Sequence, residues 1–100
     1  MITEIAQIEI KPGSEADFEA AVGKARAEFG KSKGFHGFEL HRSIEKPQRY
    51  RLMVKWATLE NHTVDFGGSE QFAAWRALVG PYFASPPDVE HTETVVTANG

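Results

Sequence analysis

The sequence predicts an α+β fold, in which an antiparallel sheet of four strands carries helices on one face. Three observations predict it. The 100 residues are enough for one domain core, so we treat residues 1–100 as a single domain. Segments with a hydrophobic period of two alternate with segments whose period is close to 3.6. Their order along the chain is strand, helix, strand, strand, helix, strand.

The composition is that of an ordinary globular domain, with 41% hydrophobic and 25% charged residues. The chain has no cysteine, which excludes a disulfide scaffold and any cysteine-ligated metal site. A formal net charge of −3 disfavours binding to nucleic acid. No apolar run approaches the roughly 20 residues of a membrane helix, and the N-terminus lacks the features of a signal peptide. We therefore expect a cytoplasmic protein without a membrane partner.

The first strand and the first helix are predicted from the opening third of the chain. Residues 2–10 carry apolar side chains in both alternate sets, which is typical of a strand covered on two faces. After the sequence Lys-Pro-Gly, Ser14 is a candidate N-cap followed by carboxylates in the first turn. One helical stripe then recurs at intervals of four, three and four residues: Phe18, Val22, Ala25 and Phe29.

A hairpin is predicted next. Residues 35–44 are predicted to form a strand, residues 45–48 a turn, and residues 50–56 a second strand with clean alternation. Helical segments follow at residues 59–66 and, after a Gly-Gly break, from the N-cap Ser69 to residue 79. A last strand is predicted over residues 89–97.

This order of elements is the split βαβ, or ferredoxin-like, arrangement. Ile5, Met53 and Val96 fall on the side opposite the predicted core positions. A second sheet packed on that side would cover them. We therefore expect a symmetric homodimer whose two sheets face each other.

Three side chains are candidates for a small-molecule site between the sheet and the helices. Trp56 ends the third strand, His62 lies on the next helix four residues before Phe66, and Arg76 lies on the helix after that. If the helices cross the sheet, the three groups converge on one cavity. An arginine there would stabilise a phenolate or enolate oxygen, and a histidine would accept or relay a proton.

The same residues also have purely structural interpretations. The two tryptophans are typical core residues, His62 is compatible with a helix surface, and Arg76 with a solvated helix face. The remaining histidines show no spacing typical of metal ligands, and we expect no metal site: His36, His41 and His91.

Five short stretches carry a resemblance to a known family: residues 8–13 (IEIKPG), 34–38 (GFHGF), Trp56 followed by His62, 66–69 (FGGS) and 72–76 (FAAWR). Together they resemble the antibiotic biosynthesis monooxygenase domain over nearly the whole chain. The resemblance implies a dimeric α/β barrel built from two ferredoxin-like subunits. It also implies a cavity between sheet and helices in each subunit.

Some relatives are cofactor-independent monooxygenases that oxidise phenolic polyketides such as anthrones to quinones with molecular oxygen. The deprotonated substrate supplies the electron, so the resemblance implies no flavin and no metal cofactor. The positions that match their site are Trp56, His62 and Arg76. Leu52 stands where such enzymes carry an asparagine, and His62 stands where they carry a tyrosine.

Other relatives degrade haem, using a helix histidine as iron ligand, a tryptophan ten residues before it and an asparagine on the first strand. This chain carries Arg76, Phe66 and Ala6 at those positions. Haem degradation is therefore disfavoured.

The sequence thus predicts a cofactor-independent monooxygenase acting on a small phenolic, anthrone-like or quinol-like aromatic. The predicted catalytic residues are His62, Arg76 and Trp56. The residues expected to contact the substrate are Phe66, Leu52, Phe72 and Tyr82. The alternative is a non-catalytic dimeric barrel that only binds a small ligand. An open cavity with polar groups favours the enzyme, and a cavity filled by Trp75, Tyr82 or Phe83 favours the alternative.

Overall fold

The computed structural model describes residues 1–100 and contains one four-stranded sheet. The strands are β1 (Ile2–Glu9), β2 (Phe35–Arg42), β3 (Arg49–Trp56) and β4 (Asp88–Thr92). The helical elements are α1 (Glu15–Gly30), a π-helical turn (Asn61–Phe66), α2 (Glu70–Val79) and a 3-10 turn (Gly80–Tyr82). The strand order is β2-β3-β1-β4, and every neighbouring pair is antiparallel. The predicted α+β, ferredoxin-like class is confirmed, while the pairing of two such sheets in a dimer stays a prediction.

The last strand is shorter than predicted. β4 pairs with β1 as far as Thr92, which lies opposite Thr3, and β1 itself begins at Ile2. Residues 93–97 are rich in β-branched side chains but have no strand left to pair with, so they take no regular structure. Val96, at 84% exposed, therefore lies off the sheet, and its predicted place on the outer sheet face was wrong.

The core is a cluster of 15 buried apolar residues between the sheet and the helices. Phe29 lies near its centre, because its ring contacts aromatic rings from β2, β3, the π-helical turn and α2 at centroid distances of 4.9 to 6.2 Å. The predicted stripe of α1 is buried as expected. So is the inward set of β3, namely Tyr50, Leu52, Val54 and Trp56.

The connection from β3 to α2 is anchored by a buried polar residue, Asn61. The backbone N–H of Thr58 donates to Oδ1 of Asn61 at 3.0 Å, and the N–H of Asn61 donates to Oγ1 of Thr58 at 3.2 Å. Gly34, at φ +78°, passes so close that a Cβ would lie 2.0 Å from that Oδ1. Only glycine fits there.

The segment after Asn61 is wound as a π-helix, where the sequence predicts an ordinary helix. The N–H of Gly67 donates to the carbonyl of His62 at 2.9 Å, the i to i+5 bond of that conformation. The wider turn still places His62 and Phe66 on the same side.

The two predicted helix N-caps have different outcomes. The hydroxyl of Ser69 accepts from the N–H of Phe72 at 3.2 Å, which confirms the cap of α2. Ser14 is the N-cap position of α1, as predicted, but its side chain makes no capping hydrogen bond. Neither α-helix combines the length and the apolar character that crossing a lipid bilayer demands.

Candidate active site

A cavity of about 610 Å³ lies between the sheet and α2. This volume is within the range of small-molecule sites. Its wall is mostly apolar and includes Ala6 and Ile8 of β1, Leu52 of β3, and Phe66 and Phe72 beyond it. The ionisable side chains in the wall are Glu4, His62 and Arg76. The cavity is therefore apolar with a few polar groups, as the sequence predicts.

Glu4 is a buried carboxylate, only 6% exposed. It faces the core because it shares the strand alternation of Ala6, Ile8 and Ile10. The indole Nε1 of Trp56 donates to Glu4 Oε1 at 3.0 Å. Burial raises the pKa of Glu4 to about 7, although the hydrogen bond from Trp56 opposes this change. Near neutral pH the site therefore holds a mixture of carboxylate and carboxylic acid.

The imidazole of His62 is held at both of its nitrogens. Its Nε2 lies 3.2 Å from Glu4 Oε1, and its Nδ1 lies 2.7 Å from Nε2 of His91. The ring also stacks on Trp56, with centroids 5.5 Å apart. Burial, with a smaller contribution from His91, lowers the pKa of His62 to about 4. The imidazole is therefore uncharged at neutral pH.

Arg76 lies in the cavity wall but is exposed to solvent. Its guanidinium carbon lies 5.9 Å from the centroid of the Phe72 ring, and it pairs with no carboxylate. Arg76 therefore reaches the predicted cavity but is not enclosed by it. Arg76 instead places a positive charge where the cavity meets water.

Trp56 does not line the cavity, contrary to the sequence prediction. It is completely buried, and it reaches the site only through its hydrogen bond to Glu4 and its contact with His62. Of the three side chains predicted to line one cavity, two do so, namely His62 and Arg76.

Three of the four predicted substrate contacts lie in the cavity wall: Leu52, Phe66 and Phe72. Tyr82 does not, because the 3-10 turn packs it against the core and presents the next residue, Phe83, to the cavity. Trp75 also contributes to the wall without filling the space.

Glu4 was not among the residues predicted from the sequence, and His91 was given no role in the site. One signal for Glu4 was available, since a carboxylate at an inward position of an otherwise apolar strand needs a buried partner. No comparable signal marked His91, which reaches the site because the β1–β4 register places it opposite Glu4.

The comparisons with known proteins agree with this architecture. The model of the antibiotic biosynthesis monooxygenase family matches residues 1–78. The chain belongs to this family. The uncharacterised protein YczJ of Bacillus subtilis is 37% identical over 95 residues, covering 95% of this chain and 100% of the relative. The resemblance described from the sequence is confirmed.

Two solved structures illustrate the family's fold. A Bordetella bronchiseptica protein named for the same family has a TM-score of 0.94 and 56% identity, covering 95% of this chain and 97% of that one. SnoaB of Streptomyces nogalater, named as a cofactor-independent oxygenase, has a TM-score of 0.81 at 17% identity, covering 96% and 94%. The second likeness concerns the fold alone.

Proposed function

We propose that this chain is a cofactor-independent monooxygenase that oxidises a small phenolic, anthrone-like or quinol-like aromatic with molecular oxygen. One observation carries the proposal: a mostly apolar cavity is lined by a buried carboxylate, Glu4, whose Oε1 lies 3.2 Å from Nε2 of His62. The family gives the class of reaction. SnoaB, which shares the fold, is named as an oxygenase that needs no cofactor.

The chemistry requires the protein to move protons and to hold an anion. Removal of the substrate's hydroxyl proton leaves the electron pair on oxygen, and the anion passes one electron to O₂. The substrate radical and superoxide then combine through a new carbon–oxygen bond to form a peroxide. Loss of water from the peroxide turns the ring C–H carbon that bears it into a carbonyl. The hydroxyl hydrogen, the ring hydrogen and one oxygen atom leave as that water, and the substrate supplies all four electrons.

The side chains around the cavity are suited to these tasks. Leu52, Phe66 and Phe72 would hold the aromatic ring and exclude water, which strengthens polar interactions inside. Arg76 would stabilise the oxyanion from the solvent side. The pair of Glu4 and His62 would take the proton, and Trp56 would hold Glu4 in place.

A homodimer is part of the proposal. Ile5 and Met53 lie opposite each other across β1 and β3, and both are half-buried on the sheet face away from the helices. A second sheet would remove this pair from water. Sedimentation equilibrium should give twice the monomer mass, and Met53→Lys should shift the population toward the monomer. A wild-type monomer at micromolar concentration contradicts the dimer.

The decisive experiment is oxygen uptake by the purified chain, treated with chelator and free of flavin, with a panel of hydroxylated aromatics including anthrones. We expect consumption of one O₂ per substrate and transfer of one oxygen atom from ¹⁸O₂ into the product. The methyl ethers of the same compounds are the control, because they have no hydroxyl proton to lose and should not react.

A non-catalytic binding protein is the second candidate. It is favoured by Leu52, an apolar wall residue at the position where the catalytic relatives carry an asparagine. Tight binding of the aromatics without oxygen uptake would decide for it and against the monooxygenase.

A further inference from the structure

We propose that Glu4, and not His62, is the catalytic base, and that its oxygen Oε2 accepts the substrate proton while His62 and Trp56 are positioning residues. This inference rests on the proposed function and assigns the proton transfer within it. It differs from the expectation drawn from the sequence, in which His62 accepts or relays the proton.

His62 has no free nitrogen for a substrate. One ring nitrogen faces Glu4 Oε1 at 3.2 Å and the other faces His91 Nε2 at 2.7 Å. A neutral imidazole has one N–H and one lone pair, and each of its two nitrogens already lies within 3.2 Å of one of these neighbours. To take a proton from a ligand, the ring would have to break one of the two contacts.

Glu4 has one occupied oxygen and one free oxygen. Oε1 receives the indole N–H of Trp56 at 3.0 Å and faces Nε2 of His62. Oε2 has no hydrogen-bond partner in the chain. Since every fully buried side-chain oxygen or nitrogen does have a partner, Oε2 is not fully buried. Since Glu4 lines the cavity, Oε2 is the oxygen open to it. A substrate hydroxyl in the cavity would meet this atom.

The surroundings of Glu4 suit a group that takes and returns protons near neutral pH. The ionisable groups near it are His62 on the π-helical turn, His91 on β4 and Arg76 on α2. The neighbouring β3 and α1 contribute only uncharged side chains there: Leu52, Val54, Trp56 and Phe29. A base with a pKa of about 7 is well matched to catalysis at that pH.

The proton balance requires one such group. Oε2 takes the hydroxyl proton, and the electron pair of the O–H bond stays on the substrate. The same proton then passes to the peroxide. In the last step Oε2 takes the remaining C–H proton and returns it to the departing hydroxide as water, so Glu4 ends as it began.

The first test is the pH profile of kcat/KM, measured by oxygen uptake with a substrate whose hydroxyl stays protonated up to pH 9. Wild type should lose activity about tenfold per pH unit below pH 7, because Glu4 must be ionised to act. Glu4→Gln keeps an acceptor for Trp56 and turns its amide nitrogen toward the cavity. It should lose at least 100-fold and show no such acidic limb. Glu45→Gln, an exposed residue in the turn between β2 and β3, is the matched control and should behave as wild type.

His62→Gln distinguishes a positioning residue from the base. We expect the acidic limb to persist with a shifted midpoint, since the carboxylate remains but its environment changes. If the limb disappears in His62→Gln and persists in Glu4→Gln, the inference is overturned and His62 is the base. Thermal unfolding of each variant shows that the fold is retained.

A binding measurement separates failure of this inference from failure of the proposed function. At pH 8, wild type should bind 2-naphthol at least tenfold more tightly than 2-methoxynaphthalene, because only the former donates a hydrogen bond to Oε2. Glu4→Gln should lose this preference. Equal affinities in wild type overturn the role of Glu4 even if oxygen uptake is seen. A clear preference without any oxygen uptake overturns the monooxygenase but leaves Glu4 as the proton acceptor of the site.

Discussion

The two ends of β3 are built alike but differ in burial. At one end the Tyr50 hydroxyl donates to Glu19 at 2.6 Å, and at the other the Trp56 indole donates to Glu4 at 3.0 Å. The Glu19 side chain is 46% exposed and lies 3.8 Å from Arg42, whereas the Glu4 side chain is 7% exposed. An aromatic donor to a glutamate is therefore common to both ends, and desolvation of the glutamate carboxylate is not.

The altered pKa values follow this difference. At the exposed end, burial of the phenol and its bond to Glu19 raise the pKa of Tyr50 above its ordinary value, so Tyr50 stays a donor. At the cavity end, burial acts on the carboxyl group and raises the pKa of Glu4 to about 7. Burial of the carboxylate, and not the hydrogen bond from the aromatic donor, is therefore what brings the pKa of Glu4 close to neutral.

The largest expected effect is on the pH dependence of stability. Glu4 has a pKa of about 7 in the folded chain against 4.5 unfolded, so its contribution is fully present below pH 4.5 and lost as the pH rises to 7. His62 has a pKa of about 4 against 6.5, so its contribution is present above pH 6.5 and lost as the pH falls to 4. Each pKa change alters the free energy of unfolding by about 3 kcal/mol. The two contributions depend on pH in opposite directions, so they cancel between pH 4.5 and 6.5.

Single substitutions should reveal the two opposing pH dependences of the unfolding free energy. Relative to wild type, Glu4→Gln should gain stability as the pH rises from 4.5 to 7, and His62→Gln should gain it as the pH falls from 6.5 to 4. Glu19→Gln, at the exposed end, should follow wild type. Urea unfolding at four pH values measures these differences in stability. If stability varies with pH in the same way in Glu4→Gln and in wild type, the buried carboxylate does not have the raised pKa described here.

A smaller difference is expected when each aromatic donor is removed. Trp56→Phe leaves the buried Glu4 carboxylate short of a partner and should cost about 2 to 3 kcal/mol at pH 8. Tyr50→Phe leaves Glu19 in contact with water and should cost about 1 kcal/mol. Chemical denaturation of both variants makes the comparison, and equal losses would show that burial of the acceptor is unimportant.

The smallest effect on stability is expected at the two exposed arginines, which lie over aromatic rings at equal distances of 5.9 Å: Arg42 over Tyr50 and Arg76 over Phe72. Either change to alanine should alter stability by no more than about 0.5 to 1 kcal/mol. Arg76→Ala should also lower kcat/KM on the order of tenfold, less than an enclosed oxyanion donor would. Arg42→Ala should leave it unchanged. Equal turnover in the two variants would remove Arg76 from the proposed site.

The elements of the fold were predictable because their signals are local. The stripe from Phe18 to Phe29 and the alternation from Tyr50 to Trp56 each report burial within one element, and both sets are buried. The end of β4 was not predictable in this way. The sequence after Thr92 favours a strand, but a strand also needs a neighbour, and β1 supplies none beyond its first residues.

The candidate site shows the same limit more clearly. Glu4, His62 and His91 come from β1, the π-helical turn and β4, and their contacts depend on strand register. Local periodicity does not specify the register between distant strands. For this reason His62 and the cavity were found from the sequence, whereas the buried carboxylate beside His62 was not.

The π-helical turn at Asn61–Phe66 makes the position of His62 depend on residue count. Deleting a single residue between β3 and His62 would move the imidazole back by one helical position, a rotation of about 100° around the helix axis. The imidazole would then leave the carboxylate while every strand kept its place. Length variation of one residue in this segment is thus a direct route by which related chains can gain or lose the histidine's contact without altering the rest of the fold.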